Sequence, residues 1–195
     1  MKELPILFSG EMVRAILAKR KTQTRRIVKP QPDVLVRYDG IDEDDGIHYW
    51  ERMNGDEYTE EYIPLGACRY GRAGDRLWVR ESLYLGGDNV WRYRADDSIV
   101  YCGADGIAWA HHKETGYCSS IHMPRWASRI SLEVVNVRVE RLQEISERDV
   151  VAEGVEVGCE YWYGNFQKLW NSINGIGAWG TNPLVWAIEF KVAEE

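Results

Sequence analysis

The sequence predicts an α+β domain in which short strands form a small curved sheet or barrel and a few helices lie between them. Short apolar runs with a period of two recur along the chain, and longer segments carry apolar residues at helical spacing. The chain has 195 residues, of which 45% are hydrophobic and 28% charged, as in an ordinary globular protein. We therefore expect a single domain over residues 1–195.

The first part of the chain is a strand that leads into a helix. Pro5–Phe8 is a short apolar run, and apolar residues recur at helical spacing over Gly10–Arg20, after Ser9 as a suitable N-cap. Residues 31–66 follow as a long acidic insertion, in which eleven acids face two arginines between positions 31 and 61. Such a stretch, with prolines near both ends, is typical of an excursion outside the core.

The middle of the chain is mainly strand. Leu77–Leu83 is strand-like and precedes a long loop at about residues 96–120, where glycines interrupt the pattern. Apolar residues alternate over Ile130–Val139 and change phase at Val134 and Val135, which predicts a β-bulge.

Two helices and a strand complete the chain. Ser146–Gly154 begins with a capping serine that is followed three residues later by Asp149. Trp162–Ile173 has the spacing of a helix with one buried face, and Gly175 ends it. The alternation over Leu184–Val192 is the strongest strand signal in the chain.

The densest group of polar residues is the cationic strip, which we define as residues 19–26 with the sequence KRKTQTRR. Cations at the end of the first helix are favoured by the helix dipole, at about 0.3 to 1 kcal/mol each. The dipole does not account for the two threonines and two arginines that follow. Hydroxyls and cations in this pattern suit phosphate oxygens, so we expect the strip to hold an anionic ligand although the chain has a net charge of −7.

Several segments resemble the ASCH domain, a branch of the PUA-like superfamily. They are ILAKRKTQTRR at 16–26, GDRLWVRE at 74–81 and WAIEF at 186–190; with IHMPRWASR at 121–129 they are most similar to ASCH proteins of phages and prophages. The resemblance implies a small PUA-like β-barrel with flanking helices and a cleft that faces RNA, DNA or a modified nucleobase. It therefore implies a protein that binds nucleic acid or a modified nucleotide.

One bacterial branch of this superfamily consists of amidohydrolases that remove the acyl group of N4-acetylcytidine with a Lys, a Thr three residues later and a distant Glu. The resemblance matches these residues to Lys21, Thr24 and Glu153, with Glu81 as a competing acid. It implies Thr24 as nucleophile, Lys21 as base and the acid as orienting group. Such chemistry needs a Lys21 pKa below the usual value and a bend between residues 21 and 24, since residues three apart in a straight strand face opposite sides.

A second group of polar and aromatic residues lies at the end of the strand Leu77–Leu83 and in segment 121–129. Arginines beside aromatic rings can hold phosphates and stack on bases. Core packing of Trp78, an ion pair of Arg80 with the insertion and burial of Trp126 as a barrel plug are alternatives. The predicted ligand-binding residues are Arg25, Arg26, Trp78, Arg80, Glu81, His122, Arg125, Trp126 and Arg129.

We expect no metal and no cofactor. The possible ligands Cys102, His111, His112, Cys118 and His122 fall within 21 positions, but their spacing matches no zinc finger or ribbon. No Gly-rich phosphate loop, nucleophile elbow or zinc-protease motif occurs.

Two further function classes stay open. Related ASCH proteins include members that cut RNA, which makes a ribonuclease an alternative, and the acidic insertion could bind a basic host protein as a nucleic-acid mimic. No apolar run reaches the roughly 18 to 20 residues of a membrane span, and the first residues do not have the pattern of a signal peptide. We therefore expect a cytoplasmic protein without a membrane partner.

Overall fold

The computed structural model describes residues 1–32, 36–41, 47–54, 57–101, 115–155 and 161–193. The strands in these ranges are β1 (Glu3–Leu7), β2 (Gln23–Ile27), β3 (Val36–Ile41), β4 (Ile47–Asn54), β5 (Glu57–Ala67), β6 (Arg76–Arg80), β7 (Leu83–Leu85), β8 (Trp91–Tyr93), β9 (Tyr117–Cys118), β10 (Ser131–Arg141) and β11 (Leu184–Val192). The helices are α1 (Gly10–Leu17), α2 (Glu147–Ala152) and α3 (Trp162–Asn174), with short 3-10 helices at Ser120–His122, Arg125–Ala127 and Leu142–Glu144.

The main sheet has five strands in the order β1-β6-β10-β11-β2. β1 and β6 are parallel, whereas the other neighbours are antiparallel. This mixed sheet with few helices confirms the α+β class. The expected closed barrel is wrong for the described residues, because β1 and β2 are edge strands with no backbone ladder between them. A side chain joins the two edges instead: Arg26 Nη2 donates to Leu7 O at 2.6 Å.

β11 separates two cores. Leu184–Ile188 are all buried, so both faces of this strand are covered. The side chains of Trp186 and Ile188 pack in the main core with α1, and Val185 packs on the opposite side with α2 and α3. The second core also includes Phe166 and Trp170 of α3.

The local signals of the sequence are confirmed at four places. Ser9 caps α1 by accepting a hydrogen bond from the Met12 amide at 3.4 Å. The pairing of β10 with β11 shifts register at residues 134–136, where the bulge is predicted. Ser146 and Asp149 form a capping box at the start of α2, and α3 ends at Gly175.

The predicted insertion contains an antiparallel sheet of its own, in the order β3-β4-β5. His48 of this sheet is buried and meets Trp186 of β11 edge to face, with 4.6 Å between the ring centroids. Burial lowers the pKa of His48 to about 4. The insertion is therefore not wholly outside the core, because it contributes an uncharged ring to the main sheet. Its acidic run at 42–45 lies outside the described residues.

A third sheet, in the order β8-β7-β9, has a small core of its own. Most of the predicted loop at 96–120 lies outside the described residues, since the description stops at 101 and resumes at 115. None of the helices within the described ranges is both long and apolar enough to cross a membrane.

Candidate functional site

The cationic strip turns inward directly after α1. The amides of Arg20 and Lys21 both donate to Ala15 O, at 2.9 and 3.1 Å, which reverses the chain at the end of the helix. Lys21 then forms an isolated antiparallel bridge with Glu153, the residue that caps the C-terminus of α2. As a result Lys21 is only 2% exposed.

Lys21 and Glu153 form a buried ion pair. Lys21 Nζ donates to Glu153 Oε2 at 2.7 Å and to the Glu153 carbonyl oxygen at 2.8 Å. Burial lowers the pKa of Lys21, Glu153 opposes that shift, and the charges of Arg26 and Arg25 add to it. The lowered Lys21 pKa that the predicted chemistry needs is therefore present, with desolvation as its main cause.

Gly154 allows this pair to form. Its φ of +82° lies in the left-handed region, where a side chain is strained. A Cβ at this position would lie 2.9 Å from Lys21 Cβ and 3.0 Å from Ala15 Cβ. The absence of a side chain at Gly154 lets α2 end directly against the turn that carries Lys21.

Thr24 and Glu153 line one cavity of about 320 Å³, which we call the Thr24 cavity. Thr24 lies in β2 opposite Ile188 of β11 and is 1% exposed. The other polar and aromatic residues around the cavity are Arg25, Arg26, Lys29, Arg69, Tyr70, Phe166, Trp170, Asn174 and Trp186. Lys21 does not line the cavity itself; its amine lies against Glu153 instead.

Lys21 and Thr24 lie toward the same part of the interior. Lys21, Gln23 and Thr24 are buried and Thr22 is exposed, a pattern that a straight strand with Lys21 and Gln23 on one face also gives, so the bend between 21 and 24 stays a prediction. Lys21 Nζ and the Arg26 guanidinium lie over the ring of Phe8, at 5.7 and 5.2 Å from its centroid. Thr24 shares a face of β2 with Arg26, which directs it to the side of that ring.

Two polar atoms beside the cavity are buried without a hydrogen-bond partner within the described ranges. They are Nε of Arg26 and Nε1 of Trp170, and both residues line the Thr24 cavity. Buried donors usually have a partner, so these two atoms are available to donate to a ligand in the cavity.

Arg25 belongs to a network of ion pairs, which we call the arginine–acid network and define as Arg25, Arg138, Glu140, Asp149 and Glu189. Arg25 Nε lies 2.8 Å from Glu140 Oε1, and Arg25 Nη2 lies 3.2 Å from Asp149 Oδ2. Arg138 binds the other carboxylate oxygens, at 2.9 Å from Glu140 Oε2 and 3.1 Å from Asp149 Oδ1, and also pairs with Glu189. A phosphate at Arg25 would have to displace these carboxylates.

The competing acid, Glu81, lies in a different place. Arg129 binds it through two hydrogen bonds, at 2.9 and 3.0 Å, and also pairs with Asp96 at 2.8 Å. Burial raises the pKa of Glu81, and Arg129 opposes that shift. Glu81 lines a separate cavity of about 370 Å³ together with Arg14 and other residues that do not line the Thr24 cavity. Glu81 and Thr24 therefore do not line the same cavity.

Three of the remaining predicted residues form an outer stack, which we define as Trp78, Arg80 and Arg125. The guanidinium groups of Arg80 and Arg125 lie over the Trp78 ring, at 5.2 and 5.8 Å from its centroid. Arg125 Nε also donates to Glu3 at 3.1 Å, and Arg80 Nη2 donates to Ile121 O. Arg80 is therefore held by the polypeptide backbone.

His122 and Trp126 lie in the segment next to the outer stack. His122 is exposed. Trp126 is 44% exposed, so the alternative that it plugs a barrel is wrong. The sheet has no closed lumen for it to fill, and Met123 and Ala127 are the residues of this segment that are buried.

Sequence reasoning did not identify the aromatic residues that line the Thr24 cavity or the acids of the arginine–acid network. The spacing of Trp170, Trp186 and Phe166 predicts only core residues, because it is that of a buried helix face and strand. Asp149 carries a local signal only as a capping residue and Glu140 carries none, since their partner Arg25 lies far away in sequence.

Within the described ranges no group of three or more His, Cys, Asp and Glu side chains is placed to hold a metal ion. Cys102, His111 and His112, which the sequence analysis considered as ligands, lie outside these ranges.

The comparisons with known proteins give little support to any assignment. No protein-family model matches the chain, and no curated protein matches it. Among solved structures, it is similar to protein EF3133 from Enterococcus faecalis V583, described with the family model DUF984. The two share 11% sequence identity with a TM-score of 0.41, over 99% of this chain and 80% of that chain. We therefore infer function from the geometry of the site.

Gly154→Ala is expected to lower the free energy of unfolding by about 2 to 4 kcal/mol, because it adds both backbone strain and a clash with Lys21. Gly177→Ala is the matched control, since Gly177 also has a φ of +82° but a Cβ there would meet nothing within 4 Å. The control substitution is expected to lower the free energy of unfolding by about 1 kcal/mol. Urea unfolding measures both values, and equal losses would contradict the importance of the close approach.

Proposed function

We propose that this chain binds a nucleoside or nucleotide with a modified base in the Thr24 cavity. The observation that carries the proposal is that Thr24 and Glu153 share a cavity of about 320 Å³ with four aromatic side chains. This volume is at the lower end of the roughly 300 to 1,000 Å³ that small-molecule sites occupy. A planar base can pack on such a wall while its exocyclic group bonds to a hydroxyl or carboxylate.

The charges around the cavity support a nucleotide in particular. Lys29 and Arg69 line the cavity and have exposed side chains, so they can approach a phosphate from the solvent side. Arg69 also lies over the Tyr70 ring, at 5.4 Å from its centroid. A single base fits this arrangement either as part of a free nucleotide or as a base turned out of RNA or DNA.

We also propose that the fold is a PUA-like variant of the ASCH type. Two of the segments that carry the resemblance meet at the site: residues 16–26 end in β2, which pairs with residues 186–190 in β11. Arg26 lies opposite Trp186 in this pairing, and both line the Thr24 cavity. This variant differs from a barrel because its sheet is open, and Arg26 joins the two edges of that sheet.

Arg26→Gln is expected to weaken binding of N4-acetylcytidine 5′-monophosphate about tenfold or more, because Arg26 lines the cavity and makes a charge-assisted contact possible. Arg125→Gln is the matched control, since Arg125 also lies over an aromatic ring but belongs to the outer stack. Its effect is expected to stay below about twofold. Isothermal titration calorimetry distinguishes the two, and a loss confined to Arg125→Gln would place the ligand on the outer stack.

Hydrolysis of an amide on the bound base is a second candidate function, favoured by the Lys21–Glu153 pair. A buried lysine with a lowered pKa can act as a base near neutral pH. Thr24, three residues later, is a hydroxyl in the same cavity as Glu153. Glu153 links the candidate groups, because it lines the cavity with Thr24 and binds the Lys21 amine.

The proposed reaction is an acyl transfer to Thr24 followed by hydrolysis. Thr24 Oγ attacks the acyl carbon while the uncharged Lys21 amine takes the hydroxyl proton, and the carbon–nitrogen bond then breaks. The proton passes to the exocyclic nitrogen, which leaves as the free amine of the base. Water then attacks the ester on Thr24, so that one amide and one water give one amine and one carboxylic acid. Glu153 keeps the Lys21 amine in place throughout.

Thr24→Ala is expected to lower the rate of acetate release from N4-acetylcytidine by about 1,000-fold or more while the dissociation constant stays within about threefold. Thr22→Ala is the matched control, because Thr22 is exposed and two residues away, and it is expected to have no effect. The wild-type rate should rise with pH and level off below pH ~10.4, since Lys21 must lose its proton and its pKa is lowered. Absence of acetate release by the wild type at every pH would exclude this candidate but not binding.

A further inference from the structure

The Arg25 guanidinium is completely buried and is surrounded by four acceptors. Besides Glu140 and Asp149, it donates to Gln23 Oε1 at 2.6 Å, and its Nη1 lies 3.3 Å from Glu153 Oε1. Arg25 is therefore the residue through which the arginine–acid network reaches Glu153. The proposed function, in contrast, assigns it no step.

The two oxygens of Glu153 are divided between two cations. Oε1 faces Arg25 at 3.3 Å, and Oε2 faces Lys21 Nζ at 2.7 Å. Rotation of the carboxylate would weaken both contacts at once. Glu140 and Asp149 also bind Arg25, so Arg25 is held by contacts other than the one to Glu153.

We propose that Arg25 is a positioning residue, which fixes the Glu153 carboxylate and favours the uncharged, proton-accepting form of Lys21. Two physical effects act in this direction. The positive charge of Arg25 repels the Lys21 ammonium. The hydrogen bond from Arg25 to Glu153 Oε1 takes up part of the negative charge that would otherwise stabilise that ammonium. The role in catalysis rests on the proposed function, whereas the effect on Lys21 does not.

The other charged groups near the pair do not replace Arg25. Arg26 on β2 acts on Lys21 with the same sign but donates to Leu7 O rather than to Glu153. The acids nearest Arg25, Glu140 on β10 and Asp149 on α2, are each bound by both arginines of the network, and Glu189 on β11 is bound by Arg138. The pKa of Lys21 is lowered by burial above all, with Arg26 and Arg25 as further causes.

Arg138 offers a matched control for a merely structural role. It shares Glu140 and Asp149 with Arg25 and is part of the same network. Within the described part of the chain it makes no hydrogen bond or ion pair with Glu153. Loss of Arg138 therefore disturbs the network without removing the contact to Glu153.

The test is an NMR titration of Lys21 in protein labelled with ¹³C and ¹⁵N in lysine, with the resonance assigned by Lys21→Arg. Arg25→Gln is expected to raise the Lys21 pKa relative to wild type by clearly more than Arg138→Gln does, for which we expect less than about 0.3. Arg25→Lys retains the charge but cannot bind Gln23, Glu140 and Glu153 together, so its Lys21 pKa should lie between those of wild type and Arg25→Gln. If Arg25→Gln does not fold, a Lys21 pKa that is higher in Arg25→Lys than in wild type supports the proposal.

An unchanged Lys21 pKa in the folded Arg25 variants would overturn the inference, as would an equal rise in Arg138→Gln. If N4-acetylcytidine is hydrolysed, the acidic limb of the pH–rate profile should move by the same amount as the titration in each variant. If it is not hydrolysed, a shifted titration still supports the action of Arg25 on Lys21, and only the amidohydrolase proposal fails.

Discussion

A lysine amine held against one carboxylate in the interior constrains the whole site. Removing one partner of such a buried pair typically costs about 3 to 5 kcal/mol, because the other charge is left without compensation. The surroundings are arranged to keep Lys21 and Glu153 together: the chain reverses after α1, and α2 ends at Gly154, where a side chain would clash. Arg25 supports the free oxygen of the carboxylate. The position of this pair fixes where β2 begins, and with it the position of Thr24.

The same arrangement changes what the cationic strip can recognise. The sequence shows a strongly basic segment, but Lys21 and Arg25 are neutralised by acids of α2, of its C-cap and of β10. A ligand in the Thr24 cavity would therefore be recognised by shape, aromatic contact and hydrogen bonds, with Arg26, Lys29 and Arg69 as the cations on its wall besides Arg25. The outer stack around Trp78 is a separate surface, and the two should respond differently to substitution.

What the sequence predicted correctly is mostly local. The Ser9 cap, the capping box at Ser146 and the bulge in β10 each depend on residues within a few positions of one another. The open sheet and the exposure of Trp126 depend on how distant strands approach, which no short pattern encodes. For the site, Lys21, Thr24 and Glu153 came from a resemblance, whereas Glu140 appeared to be an ordinary strand residue until its partner Arg25, 115 positions away, was known. Ion pairs of this kind become visible only in the folded chain.

The central claim is that the Thr24 cavity holds the base of the ligand with the Lys21–Glu153 pair intact beside it. A crystal structure of Thr24→Ala with N4-acetylcytidine tests it most directly, because this variant should bind without turnover. We expect the base against the wall of Phe166, Trp170 and Trp186, with its acyl group beside position 24. A ligand found on the Trp78 stack, with the Thr24 cavity empty, would contradict the account.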